Sequence, residues 1–203
     1  GSGGREHSIA WKIAQSEKLD KLYVAPGNPG TSELANNIHL NITDYNAIKN
    51  VIIQNKIQLL IIGPELPLVN GLNDQLTNDE DVNNLIIIGP PKEGALLEGS
   101  KSFAKNFMTK YNIPTAKYES FTPKEVKKAI DYVSKLTPPY VIKADGLAAG
   151  KGVFICKNEQ EAQNIINSVF FESKVGDAGK KIVIEEFLTG IELSVFILTD
   201  GNS

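Results

Sequence analysis

Short apolar runs alternate with amphipathic segments along the whole chain, and this alternation constrains the fold more than any other feature. Several of the runs are continuously apolar, as expected for strands covered on both faces of a sheet. They predict strands at residues 22–24, 57–62, 85–88, 140–142, 153–156 and 182–184. The segments between them predict helices at residues 6–17, 45–54, 100–111, 124–136 and 159–171. Regular alternation of the two predicts an α/β fold.

Composition excludes several classes of protein. The 203 residues include 24 acidic and 21 basic side chains, giving a formal net charge of −3. Without a basic excess, the chain is not expected to bind nucleic acid or an anionic membrane. The single cysteine, Cys156, has no partner for an internal disulfide, which favours a reducing compartment. Since no apolar run approaches the ~20 residues of a membrane span, we expect a cytoplasmic protein. The sequence leaves the oligomeric state undetermined.

The first half of the chain, to about residue 90, repeats a strand, a Gly/Pro loop and a helix. The loops lie at residues 25–30 and 63–67, and ligands of open α/β sheets usually bind beside such loops. The glycine-rich residues 1–4 resemble a turn after a buried strand, and residues 193–199 predict a strand that enters a turn. We therefore expect a fragment whose first strand is missing. Residues 78–84 are polar and acidic and predict a solvated loop.

The segment from Lys143 to Gly152 carries the strongest chemical pattern. Lys143 ends a predicted strand, and the sequence Asp-Gly-Leu-Ala-Ala-Gly-Lys-Gly follows at residues 145–152 before the next strand. Glycines allow backbone N–H groups to approach phosphate oxygens, and lysines add charge-assisted contacts. The pattern is neither a Walker A loop nor a Rossmann fingerprint. It favours a flexible loop that folds over a triphosphate, and the alternative is an ordinary glycine-rich hairpin.

Lys143 and residues 145–152 resemble the nucleotide-covering loop of ATP-grasp enzymes, in the form found in the phosphoribosylamine–glycine ligases. Other segments match this family in the same order: residues 3–7, 24–28, 30–31, 63–65, 67–68, 71, 97–101, 103–105, 113–116, 184–188, 190 and 192. The resemblance covers essentially the whole chain. It implies an N-terminal open parallel-sheet domain of the Rossmann-like, pre-ATP-grasp kind at residues 1–98. The first part of an ATP-grasp domain then follows at residues 99–203, with a lid subdomain at about 115–187.

The resemblance also implies a set of ATP-binding residues. They are Lys101, Lys143, Gly150, Lys151, Gly152, Glu185, Phe187 and Glu192. Lys101 and Lys143 would reach the phosphates, Glu185 would lie at the adenine end, and Glu192 would hold the ribose hydroxyls. From the residues alone, a solvated lysine at a helix end is the favoured interpretation of Lys101. Glu185 is equally an exposed strand end, and Glu192 could simply face water.

For the first domain, the resemblance implies a site for 5-phosphoribosylamine. The implied residues are Gly3, Gly4, Arg5, Glu6, His7, Asn28, Gly63, Pro64 and Glu65. Residues 1–7 open a predicted helix with glycines, and the dipole and free N–H groups of a helix N-terminus favour an anion such as a phosphate. For His7, contact with the substrate and a purely loop-shaping role remain equally open.

The implied activity is ATP-dependent ligation of glycine to 5-phosphoribosylamine through a glycyl phosphate intermediate, a step of purine biosynthesis. The implied cofactors are ATP and Mg²⁺ or Mn²⁺. The metal ligands are expected beyond Ser203, so this chain contains none of them, no catalytic residue is assigned, and the fragment is expected to be inactive alone. The alternatives are a related ATP-grasp ligase or carboxylase, and a nucleotide-binding module without catalysis. A nicotinamide-dependent dehydrogenase is disfavoured by the missing G-x-G-x-x-G pattern.

Overall fold

The structure is a computed structural model that describes residues 1–148, 150–195, 197 and 199. The chain divides into two compact units, Gly1–Phe107 and Met108–Ser203. The predicted domain boundary between residues 98 and 99 stays a prediction. Among the described residues, no helix combines the length and apolar character that crossing a membrane requires.

In the first unit, short strands pair in parallel as two separate ribbons. β1 (Tyr23–Val24) pairs with β2 (Asn36–Asn37), and β3 (Leu59–Ile61) pairs with β4 (Ile86–Ile88). The helices are α1 (Gly4–Ile13), α2 (Tyr45–Gln54), α3 (Glu65–Val69), α4 (Leu72–Thr77), α5 (Lys92–Gly99) and α6 (Lys101–Lys110), the last of which runs into the second unit. Short 3₁₀ turns occupy Thr31–Glu33 and Glu80–Val82.

The core of the first unit forms where α2 packs on β3 and β4. Ile48 and Ile52 of α2 lie one turn apart on the same helix face, and Asp44 caps the helix because its carboxylate accepts a hydrogen bond from the Ala47 N–H at 3.0 Å. The buried members of this core are Ile48, Ile52, Ile62, Leu68, Leu72, Leu76, Val82 and Ala95. Helices α3 to α5 therefore share one core with α2 and the β3–β4 ribbon.

The second unit is an antiparallel sheet covered on one face by two helices. Its strands are β5 (Tyr118–Phe121), β6 (Tyr140–Ala144), β7 (Val153–Cys156) and β8 (Ile182–Glu186), in the order β5-β8-β6-β7. The helices are α7 (Val126–Val133), preceded by a 3₁₀ turn at Pro123–Glu125, and α8 (Glu159–Phe171), and a further 3₁₀ turn lies at Gly176–Lys180. Their core is Phe121, Ala129, Val133, Tyr140, Ile142, Cys156, Ala162, Ile166, Val169, Ile182 and Ile184.

The prediction of an α/β fold is confirmed, and all six runs predicted from apolar residues contain strands. The strand predicted at residues 193–199 is wrong for the part of it that the structure describes. Leu193, Val195 and Ile197 are irregular and 82%, 82% and 83% exposed, because alternating apolar residues form a strand only where a neighbouring strand accepts their hydrogen bonds. Residues 196, 198 and 200–203 lie outside the described part.

The acidic segment at residues 78–84 is not the plain solvated loop that its composition predicts. Val82 is buried in the core, and Asp79 binds two side chains of α2. Lys49 Nζ lies 2.7 Å from Asp79 and 2.6 Å from Asp81, and the Tyr45 hydroxyl donates a hydrogen bond to Asp79. These bonds lower the pKa of Asp79 to about 2, with the Lys49 hydrogen bond as the largest cause.

We expect Ile142→Ala to destabilise the second unit strongly and Ile155→Ala to have little effect. Ile142 is fully buried, so its truncation leaves a cavity and lowers the free energy of unfolding by ~2–5 kcal/mol. Ile155 on the neighbouring strand is 59% exposed, and its truncation should change that free energy by less than ~1 kcal/mol. Urea denaturation of both variants tests this, and equal midpoints would contradict the packing described here.

We expect the pKa of Asp79 to rise toward its ordinary value in Lys49→Met. A carboxyl with a lowered pKa stabilises the folded state above its unfolded-state pKa, and that contribution is lost as the pH falls from about 4 to about 2. A carbon-13 NMR titration of the Asp79 carboxyl would measure the shift directly. Lys56→Met, two residues beyond the end of α2, serves as the control because Lys56 does not belong to the network that joins Lys49 to Asp79 and Asp81. An unchanged Asp79 titration in Lys49→Met would disprove the assigned cause.

Candidate functional site

Three segments of the first unit meet at the start of α1. They are residues 1–7, residues 25–31 after β1, and residues 63–65 after β3. Arg5 joins two of them, because its Nη2 donates to the Gly63 carbonyl at 3.1 Å and to Glu65 Oε1 at 2.7 Å. Asn28 joins the other, since its Nδ2 donates to the Ser2 carbonyl at 3.0 Å. The structure thus brings the residues predicted for the phosphoribosylamine site together at the carboxyl ends of β1 and β3.

Glu6 fills the space at the centre of these loops. Its Oε2 accepts a hydrogen bond from the Gly3 N–H at 2.8 Å, so the helix start already holds a carboxylate of the chain itself. A Cβ atom at Gly63 would lie 2.8 Å from Glu6 Oε1, and one at Gly3 would lie 2.8 Å from Glu6 Oε2. Glycine at both positions therefore allows the Glu6 carboxylate to lie between the loops. An external anion at the helix start would compete with Glu6 for the Gly3 N–H.

The loop after β1 is fixed by a polar network around Asn28. Asn28 Oδ1 accepts from the Thr31 N–H at 2.9 Å, and its carbonyl accepts from Asn37 Nδ2 at 2.9 Å. Thr31 is fully buried, and its hydroxyl lies 2.8 Å from both the Asn28 nitrogen and Asn37 Oδ1. Sequence analysis missed Thr31 and Asn37 as supports of Asn28. The Asn-x-x-Thr spacing, which favours a side-chain-closed turn, was the available signal.

His7 packs directly against the same loop. A Cβ atom at Gly30 would lie 2.4 Å from His7 Cε1, so the imidazole rests on the glycine backbone. This packing contact corresponds to the loop-shaping role, one of the two roles that the sequence left open for His7. A contact with substrate stays a prediction.

Arg5 and Glu65 form the main ion pair of this site. The hydrogen bond from Arg5 is the largest cause of a lowered pKa at Glu65, and the same bond raises the pKa of Arg5. Their side chains are 57% and 39% exposed, so solvent screens the pair and its contribution to stability is ~0.2–1 kcal/mol. Both groups stay charged at neutral pH and remain accessible to a ligand.

In the second unit, Lys143 and Glu185 lie on the sheet face opposite the helices. Residues paired across neighbouring strands share a face, and the register pairs Val141 with Glu185 and Lys143 with Val183. Lys143 and Glu185 are therefore diagonal neighbours, with Lys143 Nζ 3.0 Å from Glu185 Oε2. The Glu185 side chain is only 5% exposed and that of Lys143 is 29% exposed. The reading of Glu185 as an exposed strand end is wrong, because Glu185 is buried.

The same register places further residues beside this pair. Tyr118 and Ser120 of β5 lie opposite Glu185 and Val183, and Val141 lies opposite Glu185 from the other side. Sequence analysis did not single out these residues. These residues alternate with core residues along the same strands. Once the strand pairing is known, this alternation places them on the sheet face that carries Lys143 and Glu185.

The loop from β6 to β7 is held at both ends by backbone hydrogen bonds. The Ala144 N–H donates to the Gly152 carbonyl at 2.7 Å, and the Asp145 N–H donates to the Lys181 carbonyl at 2.9 Å. A Cβ atom at Gly152 would lie 2.8 Å from Ala148 Cβ, so glycine allows the two arms of the loop to approach. Gly150 has a φ of +78° and lies in open space. Lys151 beside it is exposed.

The remaining predicted ATP residues lie on other elements of the chain. Lys101 is the first residue of α6, where Ser100 Oγ accepts a hydrogen bond from the Phe103 N–H at 3.2 Å. Phe187 and Glu192 follow β8 in an irregular, exposed segment. The roles of these three residues stay predictions. Among residues 1–148, 150–195, 197 and 199, no three His, Cys, Asp or Glu side chains are grouped so as to hold a metal ion.

Comparison with known proteins assigns both parts of the chain to one family. Residues 1–98 match the phosphoribosylglycinamide synthetase N domain, and residues 99–203 match the phosphoribosylglycinamide synthetase ATP-grasp (A) domain. The phosphoribosylamine–glycine ligase of Fusobacterium nucleatum is 50% identical over 202 residues, which cover 100% of this chain and 46% of that protein. The phosphoribosylamine–glycine ligase of Mesorhizobium japonicum is 48% identical over 203 residues, again covering 46% of its length.

A solved structure agrees with this result. The crystal structure of phosphoribosylamine–glycine ligase from Thermotoga maritima matches with a TM-score of 0.70 and 34% identity, over 94% of this chain and 43% of that one. The chain spans about half the length of the curated relatives that it matches. Because family models match both parts of its sequence, the chain belongs to the phosphoribosylglycinamide synthetase family.

Proposed function

We propose that the longer protein containing this chain joins glycine to 5-phosphoribosylamine at the expense of ATP, giving glycinamide ribonucleotide, ADP and phosphate in purine biosynthesis. One observation carries the proposal: the likeness to phosphoribosylamine–glycine ligases extends over 100% of the chain and through both family domains. By this proposal the first unit contributes to the phosphoribosylamine site and the second contributes part of the ATP site.

The proposed reaction has two steps. A carboxylate oxygen of glycine attacks the γ-phosphorus of ATP, which forms glycyl phosphate and releases ADP. The amine nitrogen of phosphoribosylamine then attacks the glycyl carbonyl carbon, phosphate leaves with the electrons of the C–O bond, and the nitrogen loses a proton. Both steps require neutralised phosphate charge and exclusion of water from the acyl phosphate.

In the ATP site, Lys143 would contact phosphate oxygens from a fixed position. Glu185 holds its ammonium at 3.0 Å, so the lysine side chain is ordered before nucleotide binds. The loop at residues 145–152 would supply backbone N–H groups at Gly150 and Gly152 and the charge of Lys151. The small side chains of this loop leave its backbone open to close approach by phosphate oxygens.

In the first unit, different charged groups would contact different parts of the phosphoribosylamine molecule. Glu6 and Glu65 are hydrogen-bond acceptors and suit the hydroxyl and amine donors of the ligand. The phosphate suits the N–H groups at the start of α1, at Gly4 and Arg5, together with the Arg5 guanidinium. Asn28, His7 and the residues from Gly63 to Glu65 would shape the pocket.

The remaining assignments complete the proposal. Lys101 would contact ATP phosphates, the backbone near Phe187 would contact adenine, and Glu192 would bind ribose. Mg²⁺ or Mn²⁺ would neutralise phosphate charge, with ligands from residues beyond Ser203. The protein would act in the cytoplasm on small molecules, without nucleic acid or membrane partners.

The test is a coupled assay of ADP formation by the full-length protein. ATP and Mg²⁺ are supplied throughout, and glycine and freshly prepared phosphoribosylamine are added separately and together. Turnover that requires both substrates, with glycinamide ribonucleotide detected by mass spectrometry, is the expected result. The 203-residue chain is the matched control and should give no turnover.

Other outcomes of this assay would support one of the alternative functions. ADP formation that depends on a different carboxylate or on bicarbonate would indicate a related ATP-grasp ligase or carboxylase. ATP binding without turnover on any of these substrates would indicate a nucleotide-binding module. Either result rejects the proposed ligase.

We expect Lys143→Met in the full-length protein to lower kcat/KM for ATP by about 10- to 100-fold, because one charge-assisted phosphate contact contributes ~1.5–3 kcal/mol. Lys128→Met is the matched control, since the Lys128 side chain is 74% exposed and its ion pair is with Glu125, three residues earlier in the sequence. Lys143→Met leaves the buried Glu185 carboxylate without its ammonium, so the double variant Lys143→Met/Glu185→Gln distinguishes lost charge from lost folding. A normal KM and kcat for ATP in both variants would reject the role of Lys143.

A further inference from the structure

Lys181, the residue before β8, continues the extended backbone of that strand. Its φ of −143° and ψ of 148° are strand values. The Asp145 N–H donates to the Lys181 carbonyl at 2.9 Å, next to the last registered pair of the two strands, Ala144 with Ile182. The ladder between β6 and β8 therefore extends by one pair, Asp145 opposite Lys181.

The side chain of Lys181 lies on the sheet face that carries Lys143. Ile182, the next residue, is fully buried in the core that the helices cover. Because successive side chains of a strand point to opposite faces, Lys181 shares the other face with Val183 and Glu185. Lys181 is half-buried there, so its side chain keeps some access to solvent.

Lys143 thus has two diagonal neighbours on β8. Its direct partner across the strands is Val183, and Glu185 and Lys181 lie two residues to either side of that partner. Diagonal neighbours are ~7–8 Å apart, a distance that long side chains can span. The ammonium groups of Lys143 and Lys181 can therefore reach neighbouring phosphates of one ligand.

Carboxylates accompany both lysines on this face. Glu185 lies 3.0 Å from Lys143 Nζ, and Asp145 lies directly opposite Lys181 in the ladder. These carboxylates offset the repulsion between two lysines on neighbouring strands. An ammonium has three donors, so it can bind a carboxylate and a phosphate oxygen at the same time. The carboxylates therefore position the lysines without preventing contact with a phosphate chain.

The proposed orientation of the nucleotide brings its phosphates toward Lys181. The proposed adenine contact lies near Phe187, after the C-terminal end of β8, whereas the glycine-rich loop begins at Asp145, beside Lys181. From Glu185 to Lys181 the strand advances four residues, or ~13 Å. This length is similar to that of an extended nucleoside triphosphate from its purine to its terminal phosphate. Lys181 consequently lies at the end of the site where the outer phosphates would be.

We propose that Lys181 binds the phosphates of ATP that lie farthest from the ribose, beside those that Lys143 contacts. This inference rests on the proposed function, because it takes this sheet face as part of the ATP site. Lys181 adds a second ammonium on the same face and contacts the β- and γ-phosphates. It thereby makes the site selective for the triphosphate over the monophosphate.

Isothermal titration calorimetry of the full-length protein with MgATP and with AMP tests this role. Lys181→Met should raise Kd for MgATP by at least about tenfold, because one charge-assisted contact is lost, and should change Kd for AMP by less than about twofold. Lys181→Arg keeps the charge and should retain most of the affinity for MgATP. Lys180→Met is the matched control, since the Lys180 side chain is 77% exposed and lies 2.8 Å from Asp177.

Two results of the titrations would overturn the role of Lys181. One is an unchanged affinity for MgATP in Lys181→Met. The other is an equal loss of affinity for MgATP and AMP, which would assign Lys181 a structural role only. A wild-type protein that binds no MgATP would reject the proposed function itself, and this inference with it.

Acetylation of the wild-type protein gives a second readout that does not depend on the folding of a variant. The protein is treated briefly with acetic anhydride, and modified lysines are quantified by mass spectrometry. Saturating MgATP should slow acetylation of Lys181 by at least about fivefold, because the bound ligand occupies its ammonium, whereas AMP should not. Lys180 should react equally under all conditions. Equal acetylation of Lys181 with and without bound MgATP would overturn its role and leave the ATP site itself in place.

Discussion

The pairing of β6 with β8, the central strands of the second unit, fixes the sheet face on which each of their side chains lies. Ile142 and Ile184 lie opposite each other and are fully buried against the helices. Because side chains alternate along a strand, Lys143 and Glu185 must then lie on the other face. The hydrophobic requirement of the core therefore fixes the position of the charged pair. A shift of one residue in the register would bury a lysine and expose the core.

The Lys143–Glu185 pair also explains how a lysine can remain ordered on a largely covered sheet face. A charged group removed from water needs a partner at close range, and Glu185 provides one at 3.0 Å. A phosphate that approached Lys143 would meet an ammonium already positioned, but it would also approach the Glu185 carboxylate. The pair therefore favours a ligand whose negative charge contacts the lysine from the exposed side, where the side chain is 29% accessible.

Much of the architecture follows from the sequence, because apolar runs identify buried strands. Residues 153–156 and 159–171 were predicted with the bounds that the structure has. β5 was missed because Tyr-Glu-Ser-Phe is only four residues long and is neither continuously apolar nor strictly alternating, so it cannot be separated from a loop. β2 consists of two asparagines, whose strand conformation depends on pairing with β1. The helices α3, α4 and α5 are short and contain or adjoin Pro67, Gly71 and Gly94, which conceal helical spacing.

The sites were predictable only in part, for a related reason. A single segment reveals local chemistry, so the glycine loop at residues 145–152 and the helix start at residues 3–7 were recognisable. The contacts that define each site join residues distant in sequence, such as Arg5 with Glu65 and Lys143 with Glu185. Those pairings depend on strand order and register, which apolar periodicity alone does not specify.

The two units carry their polar groups on different kinds of structural element. In the first, turns after parallel strands carry the functional residues, and side chain to backbone bonds from Arg5 and Asn28 hold the turns together. In the second, the sheet face itself carries them, and a backbone-anchored loop lies at its edge. Turns can adapt to a ligand by changing a few hydrogen bonds, whereas a sheet face cannot move without breaking its register. The rigid element therefore carries Lys143, whose proposed contact is with charge, and the adaptable turns carry the acceptors proposed for a sugar.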